Sequence, residues 1–121
     1  MGDGEAVIRD IWRRWNEGER EYNPEIIDPE IEIHSALTGQ VFQGEAGVTR
    51  WVAEIDDQFE AWELSIEDLS EPEPDRVLVR GRVQARGRHS GLDLDQRITW
   101  RVGLRDGRLL RLENSLGWDD E

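Results

Sequence analysis

The fold class is decided by residues 76–116, which read RVLVRGRVQARGRHSGLDLDQRITWRVGLRDGRLLRLENSL. Apolar and polar residues alternate along three segments of this stretch, as is typical of half-buried strands. The segments are 76–87, 92–104 and 108–117. Ser90-Gly91 and Asp106-Gly107 separate them, and Asp-Gly is a strong signal for a tight hairpin. The stretch therefore predicts an antiparallel meander.

Ahead of the meander, three segments have the character of helices and three that of strands. The helices are predicted at 5–18, 24–28 and 45–58, and the strands at 30–36, 40–43 and 61–70. In the first helix, apolar residues recur at the i, i+3, i+4 and i+7 spacing of one buried face. Asn23-Pro24 resembles a helix N-cap followed by proline at the first helical position. Three helices on one face of an antiparallel sheet predict one α+β domain over residues 1–121.

The chain is strongly acidic, and its charge is unevenly distributed. The net charge is −13, with −16 over residues 1–75 and +7 over the arginine-rich residues 76–111. An acidic surface repels nucleic acid and anionic lipid, so we expect neither as a partner. The arginine-rich part is explained if its arginines pair with acidic residues on neighbouring strands or on a second subunit. We therefore expect a homodimer formed through the sheet.

The composition excludes several kinds of site. The chain has no cysteine, so disulfides, thiolate nucleophiles and cysteine-ligated metals are excluded. Its two histidines lack metal-ligand spacing, and we expect neither a metal nor a cofactor. No apolar run approaches the ~18 residues of a membrane span, and no signal-peptide pattern opens the chain. We expect a cytoplasmic protein.

The order of the elements and five short motifs resemble a known superfamily. The motifs are Trp-Asn-Glu-Gly at 15–18, Asp-Pro-Glu-Ile-Glu-Ile at 28–33, Gly44 before a helix, Gly-Arg-His-Ser-Gly at 87–91 and Arg-Asp-Gly-Arg at 105–108. Together they resemble the nuclear transport factor 2-like superfamily, in its SnoaL-like polyketide cyclase and ketosteroid isomerase branch. The resemblance implies a cone: a curved sheet wrapped around helices, with an apolar pocket at its open end. It also implies dimers through the sheet, but it does not decide function.

The isomerase mechanism that the resemblance suggests is not expected here. Counting back from Gly44 places Ser35 at the proton-shuttle position, whereas counting forward from Asp28 places His34 there. The alternation of Ile31, Ile33 and Ser35 favours Ser35, because a one-residue slip would turn both isoleucines outward. The two oxyanion positions carry Ile11 and Trp100. Ser35 is no general base without an activator.

Two other residues are candidates for acid–base work. The resemblance to SnoaL-like cyclases implies a single acid/base group on the last strand. At that position this chain has Asn114 or its neighbour Glu113. Asn114 shares the apolar face and should point inward, although a neutral amide is a poor proton shuttle. His34 is either a general base at the pocket mouth or an outward strand residue paired with an acid such as Glu32. His89 lies in a turn and is more often a polar turn residue.

An epoxide-hydrolase-like arrangement is suggested by charged residues on one predicted strand. Asp93, Asp95, Arg97 and Arg101 share a face, but it is opposite the apolar face of that strand. We expect this face to point outward and to form cross-strand ion pairs with arginines of the preceding strand. The catalytic interpretation is therefore the less favoured one.

The tryptophans indicate the walls of a pocket. Trp15, Trp51, Trp62 and Trp100 all fall on predicted inward faces. They serve as bulky core residues, as an aromatic wall for a flat apolar ligand, or as both. Trp118 lies in a polar tail. We predict that the polar contacts to a ligand are Ser35, Gln96 and Asn114, with Tyr22 and His34 as further candidates, in a pocket poor in ionisable groups.

Three functions of different class follow. The first is an isomerase- or cyclase-type enzyme that acts on an apolar or aromatic substrate, with His34 or Asn114 as the catalytic residue. The second is a module that binds such a molecule without turnover. The third is a dimeric interaction protein that uses the arginine-rich face of the sheet. An inward-pointing titratable group within reach of His34 would favour the enzyme.

Overall fold

The computed structural model describes residues 3–35, 39–88 and 93–117. In chain order its elements are α1 (Asp3–Asn16), β1 (Ile27–His34), β2 (Val41–Gln43), α2 (Gly44–Gln58), β3 (Phe59–Glu73), β4 (Arg76–Gly87), β5 (Asp93–Arg105) and β6 (Arg108–Leu116). The predicted meander is confirmed as β4 to β6, and the strand predicted at 61–70 ahead of it is confirmed as β3. His89, the Ser90-Gly91 turn and Trp118 lie outside the described residues.

The strands form one curved open sheet in the order β2-β1-β6-β5-β4-β3. Neighbouring strands from β3 to β6 are antiparallel. β1 is antiparallel to β2 but parallel to β6, with Ile33 opposite Leu112. The sheet is therefore mixed, and not purely antiparallel as predicted. The reason is that β1 pairs with the last strand, which the chain reaches only after a long crossover that includes α2.

Irregular pairing along β3 bends the sheet around the helices. The register between β3 and β4 shifts at three places, one of them between Ile66 and Asp68. Such bulges kink a strand and increase its twist. Gly81 lies opposite Ile66, and a Cβ atom built on Gly81 would lie 1.9 Å from the carbonyl oxygen of Ser65. The backbones approach so closely here that only glycine fits.

The predicted helix at residues 24–28 is wrong, and the structure has two helices among the described residues. Asn23 does cap a turn, since its Oδ1 accepts a hydrogen bond from the Glu25 N–H at 2.9 Å. Its carbonyl oxygen accepts from the Ile27 N–H at 2.9 Å. Only one turn forms, because Ile27 begins β1 and the Leu109 N–H donates to the Ile26 carbonyl at 2.8 Å. Pairing with the sheet overrides the local capping signal.

A buried carboxylate fixes β1 to the β5–β6 hairpin. Asp28 is 1% exposed. Arg105 donates to it from Nε at 3.0 Å and from Nη2 at 2.8 Å, and the Glu30 N–H donates at 2.8 Å. Arg108 lies 3.6 Å away. The Arg105 guanidinium first, and the Glu30 N–H second, hold the pKa of the Asp28 carboxyl below its usual value.

Both helices cover the inner face of the sheet. α1 packs mainly against β3, and α2 packs mainly against β1. Ile8 and Trp12 of α1, together with Ile31 and Ile33 of β1, are among the buried residues of the core. Within the described residues, neither helix is long and apolar enough to cross a membrane.

Candidate functional site

A cavity of about 340 Å³ lies between the helices and the inner face of the sheet. Both helices and every strand except β2 contribute lining residues. Most of the lining is aliphatic or aromatic, and the aromatic residues are Trp12, Trp15, Trp51, Phe59, Trp62 and Trp100. A concave, mostly apolar space of this size is typical of a site for a small organic molecule.

The aromatic walls are held in pairs. Trp12 meets Trp100 edge to face, with ring centroids 5.3 Å apart and an interplanar angle of 84°. Phe59 and Trp62 pair similarly at 4.8 Å. Trp15 and Trp51 lie 5.4 Å apart with their rings tilted by 40°. Each pair fixes the orientation of both rings, so the walls are formed before a ligand arrives.

The four tryptophans predicted as walls all line the cavity. Trp15 lies on α1, Trp51 on α2, Trp62 on β3 and Trp100 on β5. The helical and strand periodicities each placed their residues on an inward face. Their position is therefore as predicted, while their role in binding stays a prediction. Trp12, Phe59 and Ile11 also line the cavity.

Two neutral polar residues, Ser35 and Asn114, face the cavity from adjacent strands. In the parallel pairing of β1 with β6, His34 lies opposite Glu113, and Ser35 and Asn114 are the residues that follow them along the chain. Asn114 is also opposite Trp100 in the β5–β6 pairing. Ser35 is buried and lines the cavity, which confirms that Ser35 and not His34 points inward. A hydroxyl and an amide can both donate and accept hydrogen bonds.

Two indole N–H groups in the cavity wall have no hydrogen-bond partner among the described residues. They belong to Trp12, which is 5% exposed, and to Trp15, which is 9% exposed. A buried donor without an acceptor destabilises the fold by about 1–3 kcal/mol. Both tryptophans line the cavity, although the two nitrogen atoms themselves are buried beneath its surface.

Three predicted contact residues do not line the cavity. His34 lies on the outer face of β1, where its Nε2 is 3.0 Å from Glu32 Oε1. The Gln96 amide donates instead to the carbonyl oxygen of Arg97 at 3.1 Å. Tyr22 packs, half-buried, against the hydrophobic core. The structure thus brings Ser35 and Asn114 together with the tryptophans but leaves Tyr22, His34 and Gln96 elsewhere.

The lining also includes charged residues that the sequence pattern did not indicate. They are Arg14, Glu19, Arg20, Glu21 and Glu54. All five are at least partly exposed, so they lie where the cavity opens to solvent. The prediction of a pocket poor in ionisable groups is wrong at this opening. Three of the five belong to the segment after α1, which has no periodicity from which their direction could be inferred.

Arg14 is neutralised by its neighbours on and after α1. Its Nε donates to Asp10 at 2.8 Å, and its Nη1 donates to Glu19 at 2.5 Å. The pKa of Asp10 is lowered by Arg14 first and by Arg13 second, and Glu19 and Asp10 raise the pKa of Arg14. This ion-pair network stabilises the end of α1 and ties Glu19 to it.

The charged residues of β5 lie on the outer face of the sheet, as expected. Arg82 donates from Nε to Glu67 at 2.8 Å and from Nη1 to Asp95 at 3.2 Å. Asp93 lies 3.5 Å from Arg86. The predicted cross-strand ion pairs are confirmed. Because none of the charged residues of β5 lines the cavity, the geometry does not support an epoxide-hydrolase-like site. No group of three or more metal-ligating side chains occurs among residues 3–35, 39–88 and 93–117.

Sequence comparison agrees with this architecture. The model of a SnoaL-like domain matches residues 8–112. The chain belongs to the SnoaL-like domain family. No curated protein matches it by sequence.

Solved structures share the fold of this SnoaL-like domain at low sequence identity. TerC co-crystallised with polyporic acid has a TM-score of 0.82 and 19% identity, over 95% of this chain and 92% of TerC. An NTF2-like protein of unknown function from Burkholderia pseudomallei has a TM-score of 0.83 and 13% identity, over 97% and 92% of the two chains. IdmH, a candidate polyketide cyclase from Streptomyces antibioticus, has a TM-score of 0.77 and 17% identity, over 93% and 91%.

Proposed function

We propose that this SnoaL-like domain binds a small, flat, largely apolar molecule that carries a hydrogen-bond-accepting oxygen. The observation that carries the proposal is the pair of unpartnered indole N–H groups, on Trp12 and Trp15, in the wall of an aromatic cavity. The aromatic walls offer stacking and edge contacts to a ring system. None of the described side chains accepts a hydrogen bond from either indole N–H group, so a ligand oxygen is proposed as the acceptor.

The energetics favour such a ligand over a pure hydrocarbon. Burial of apolar surface contributes about 25 cal/mol per Å2 for either molecule. An oxygen acceptor additionally relieves the desolvation cost of an unpartnered N–H group, which is about 1–3 kcal/mol. Asn114, which is opposite Trp100 in the β5–β6 pairing, and Ser35, which also lines the cavity, provide further hydrogen-bonding groups.

The solved structures support an aromatic ligand. TerC was crystallised with polyporic acid, and IdmH is a candidate polyketide cyclase. Their identities to this chain are below 20%, so they contribute a class of ligand to test and not an activity.

Binding is better supported than isomerase- or cyclase-type proton transfer. On the sheet side of the cavity the polar side chains are the neutral ones of Ser35 and Asn114, and neither is an efficient proton shuttle near neutral pH. The carboxylates in the lining, Glu19, Glu21 and Glu54, lie at the opening. His34 is paired with Glu32 outside the cavity. Asn114 therefore acts in this proposal as an orienting contact, and His34 has no part in it.

The test compares two substitutions on adjacent residues of α2. Val52 lines the cavity, whereas Ala53 is exposed and does not. We expect Val52→Trp to fill the cavity and to weaken binding of 2-naphthamide by at least about tenfold in calorimetric titrations. Ala53→Trp should bind like the wild type. Circular dichroism melts check that both variants fold. Equal binding by the two variants, or no binding by the wild type, would overturn the proposal.

We further propose a homodimer formed through the outer face of the sheet, in the cytoplasm. This face carries Arg80 and Arg82 next to acidic residues such as Asp68 and Glu67. Mixed charges of this kind can pair with a second copy of the same surface around a two-fold axis.

A further inference from the structure

Arg20 is held rigidly at the opening of the cavity. Its Nε donates to the Trp15 carbonyl oxygen at 3.0 Å, and its Nη2 donates to the Trp62 carbonyl oxygen at 3.0 Å. The guanidinium carbon lies 4.8 Å from the centroid of the Trp15 ring. The side chain is only 20% exposed and lines the cavity. Two carbonyls and one aromatic face therefore fix the guanidinium before any ligand binds.

The charge of Arg20 is weakly compensated. Within the described residues its one acidic neighbour is Asp56, at 3.7 Å, whose side chain is 57% exposed. That separation is an ion pair but not a hydrogen bond. Two of the five guanidinium N–H groups reach carbonyl oxygens. Arg14 differs, because Asp10 and Glu19 both accept hydrogen bonds from it.

A second donor lies beside this guanidinium. The indole Nε1 of Trp15 has no partner among the described residues, and Arg20 packs on the same ring. Both side chains line the cavity. Arg20 is thus a cation with little acceptor capacity around it at the cavity opening, which is the kind of group that binds an anionic oxygen in a partly desolvated site. The Trp15 N–H belongs to the ring that Arg20 covers.

We propose that Arg20 and the indole N–H of Trp15 form an anion-recognising end of the cavity. The inference rests on the proposed function and narrows its ligand class to flat aromatic monoanions, whose carboxylate or acidic enol oxygen meets Arg20 while the rings enter between the tryptophans. Arg20 is a specificity-determining residue in this account.

Acidic residues at the same opening restrict the charge of the ligand. Glu19 is tied to Arg14, and Glu54 lies 3.9 Å from Arg50. Glu21 is exposed, and Asp56 is the neighbour of Arg20. Their negative potential opposes a second charge on the ligand, so dianions such as phosphate monoesters should bind worse than carboxylates.

The experiment uses two probes of nearly equal shape, the anion 2-naphthoate and the neutral 2-naphthamide. We expect the wild-type protein to bind 2-naphthoate about tenfold more tightly, because a charge-assisted hydrogen bond is stronger than a neutral one. Arg20→Gln should abolish this preference, so that the two probes bind with affinities within about twofold of each other. Arg13→Gln is the control, since Arg13 is an exposed arginine of α1 that does not line the cavity.

Two further variants separate recognition from folding. Arg20→Lys keeps the charge and should retain part of the preference for 2-naphthoate, and Trp15→Phe should weaken it while keeping the ring. Equal affinity of the wild type for both probes, or an unchanged preference in Arg20→Gln, would overturn the anion site and leave the binding function intact. If neither probe binds to the wild-type protein, the cavity-binding function fails and the anion site fails with it.

Discussion

Alternation along one strand decides which side chain of the pair His34 and Ser35 faces the cavity. Ile31 and Ile33 are buried, so Ser35 must follow them inward and His34 must point outward. This could be predicted from the sequence, because a strand has a strict period of two. The same alternation places His34 and Glu32 on the outer face together, so their pairing could be predicted as well. Gln96 shows the limit: it shares a face with Ile98, but whether its amide reaches the cavity depends on its rotamer.

Arg20 could not be predicted as part of the site. It lies in the segment between α1 and β1, where no period assigns a direction to a side chain. Its placement follows from carbonyl oxygens of Trp15 and Trp62, and Trp62 is 42 residues away in the chain. Contacts of this kind appear only once the helices and the sheet are assembled.

Asn114 should contribute to ligand affinity, whereas His34 should not. We expect Asn114→Leu to weaken binding of 2-naphthamide by about tenfold, since the amide next to Trp100 is replaced by an apolar group of similar size. His34→Ala should leave the affinity within about twofold, because His34 lies outside the cavity. Calorimetric titration measures both. A loss of affinity in His34→Ala alone would contradict this assignment.

Asp28 should make stability depend on pH. Its pKa in the folded protein is lowered from 3.8, so its stabilising contribution is complete above that pH and is lost as the pH falls through the lowered pKa. We expect Asp28→Asn to lower the melting temperature by several degrees near neutral pH. The difference from the wild type should shrink in acid. A constant difference at all pH values would exclude the ionised carboxylate as its cause.

At the scale of the element, the strongly periodic helices were predictable and the short one was not. Residues 5–18 and 45–58 correspond to α1 and α2 within about two residues at each end. The Asn23-Pro24 signal formed a single capped turn, because the backbone of Ile26 bonds to Leu109 in the sheet. A capping motif is a local signal, and a long-range strand pairing can override it.

The bend of the sheet should depend on Gly81. We expect Gly81→Ala to destabilise the fold by about 2–3 kcal/mol, since the added Cβ would clash with the backbone of Ser65. Gly103→Ala on the neighbouring strand is the matched control, because its Cβ would lie 3.4 Å from the nearest atom, in Arg111. Urea unfolding curves give both values. Equal effects would show that the close approach is not the cause.

At the scale of the whole molecule, the order of elements predicted the fold class and the family. The parallel pairing of β1 with β6 was not predictable, because alternation states which face of a strand is buried and not which strand lies beside it. That pairing matters for the site, since it brings the end of β1, which Ser35 follows, to the part of β6 that carries Asn114.

The proposed dimer makes a prediction at this scale. The double substitution of Arg80 and Arg82 to Glu should convert a dimer to a monomer in size-exclusion chromatography with light scattering, because it places like charges across the two-fold contact. The control reverses Arg9 and Arg50, which are exposed on the helices. A wild-type protein that is monomeric at all concentrations would rule out the dimer.

The central claim is that the indole N–H groups of Trp12 and Trp15 donate to a ligand in the cavity. The most direct measurement is a titration of 15N-labelled protein with 2-naphthoate, in which the indole N–H signals are followed by NMR and assigned with Trp12→Phe and Trp15→Phe. We predict that both signals move downfield in a saturable way, since formation of a hydrogen bond deshields the proton. Saturation with ligand while both signals stay in place would contradict the account.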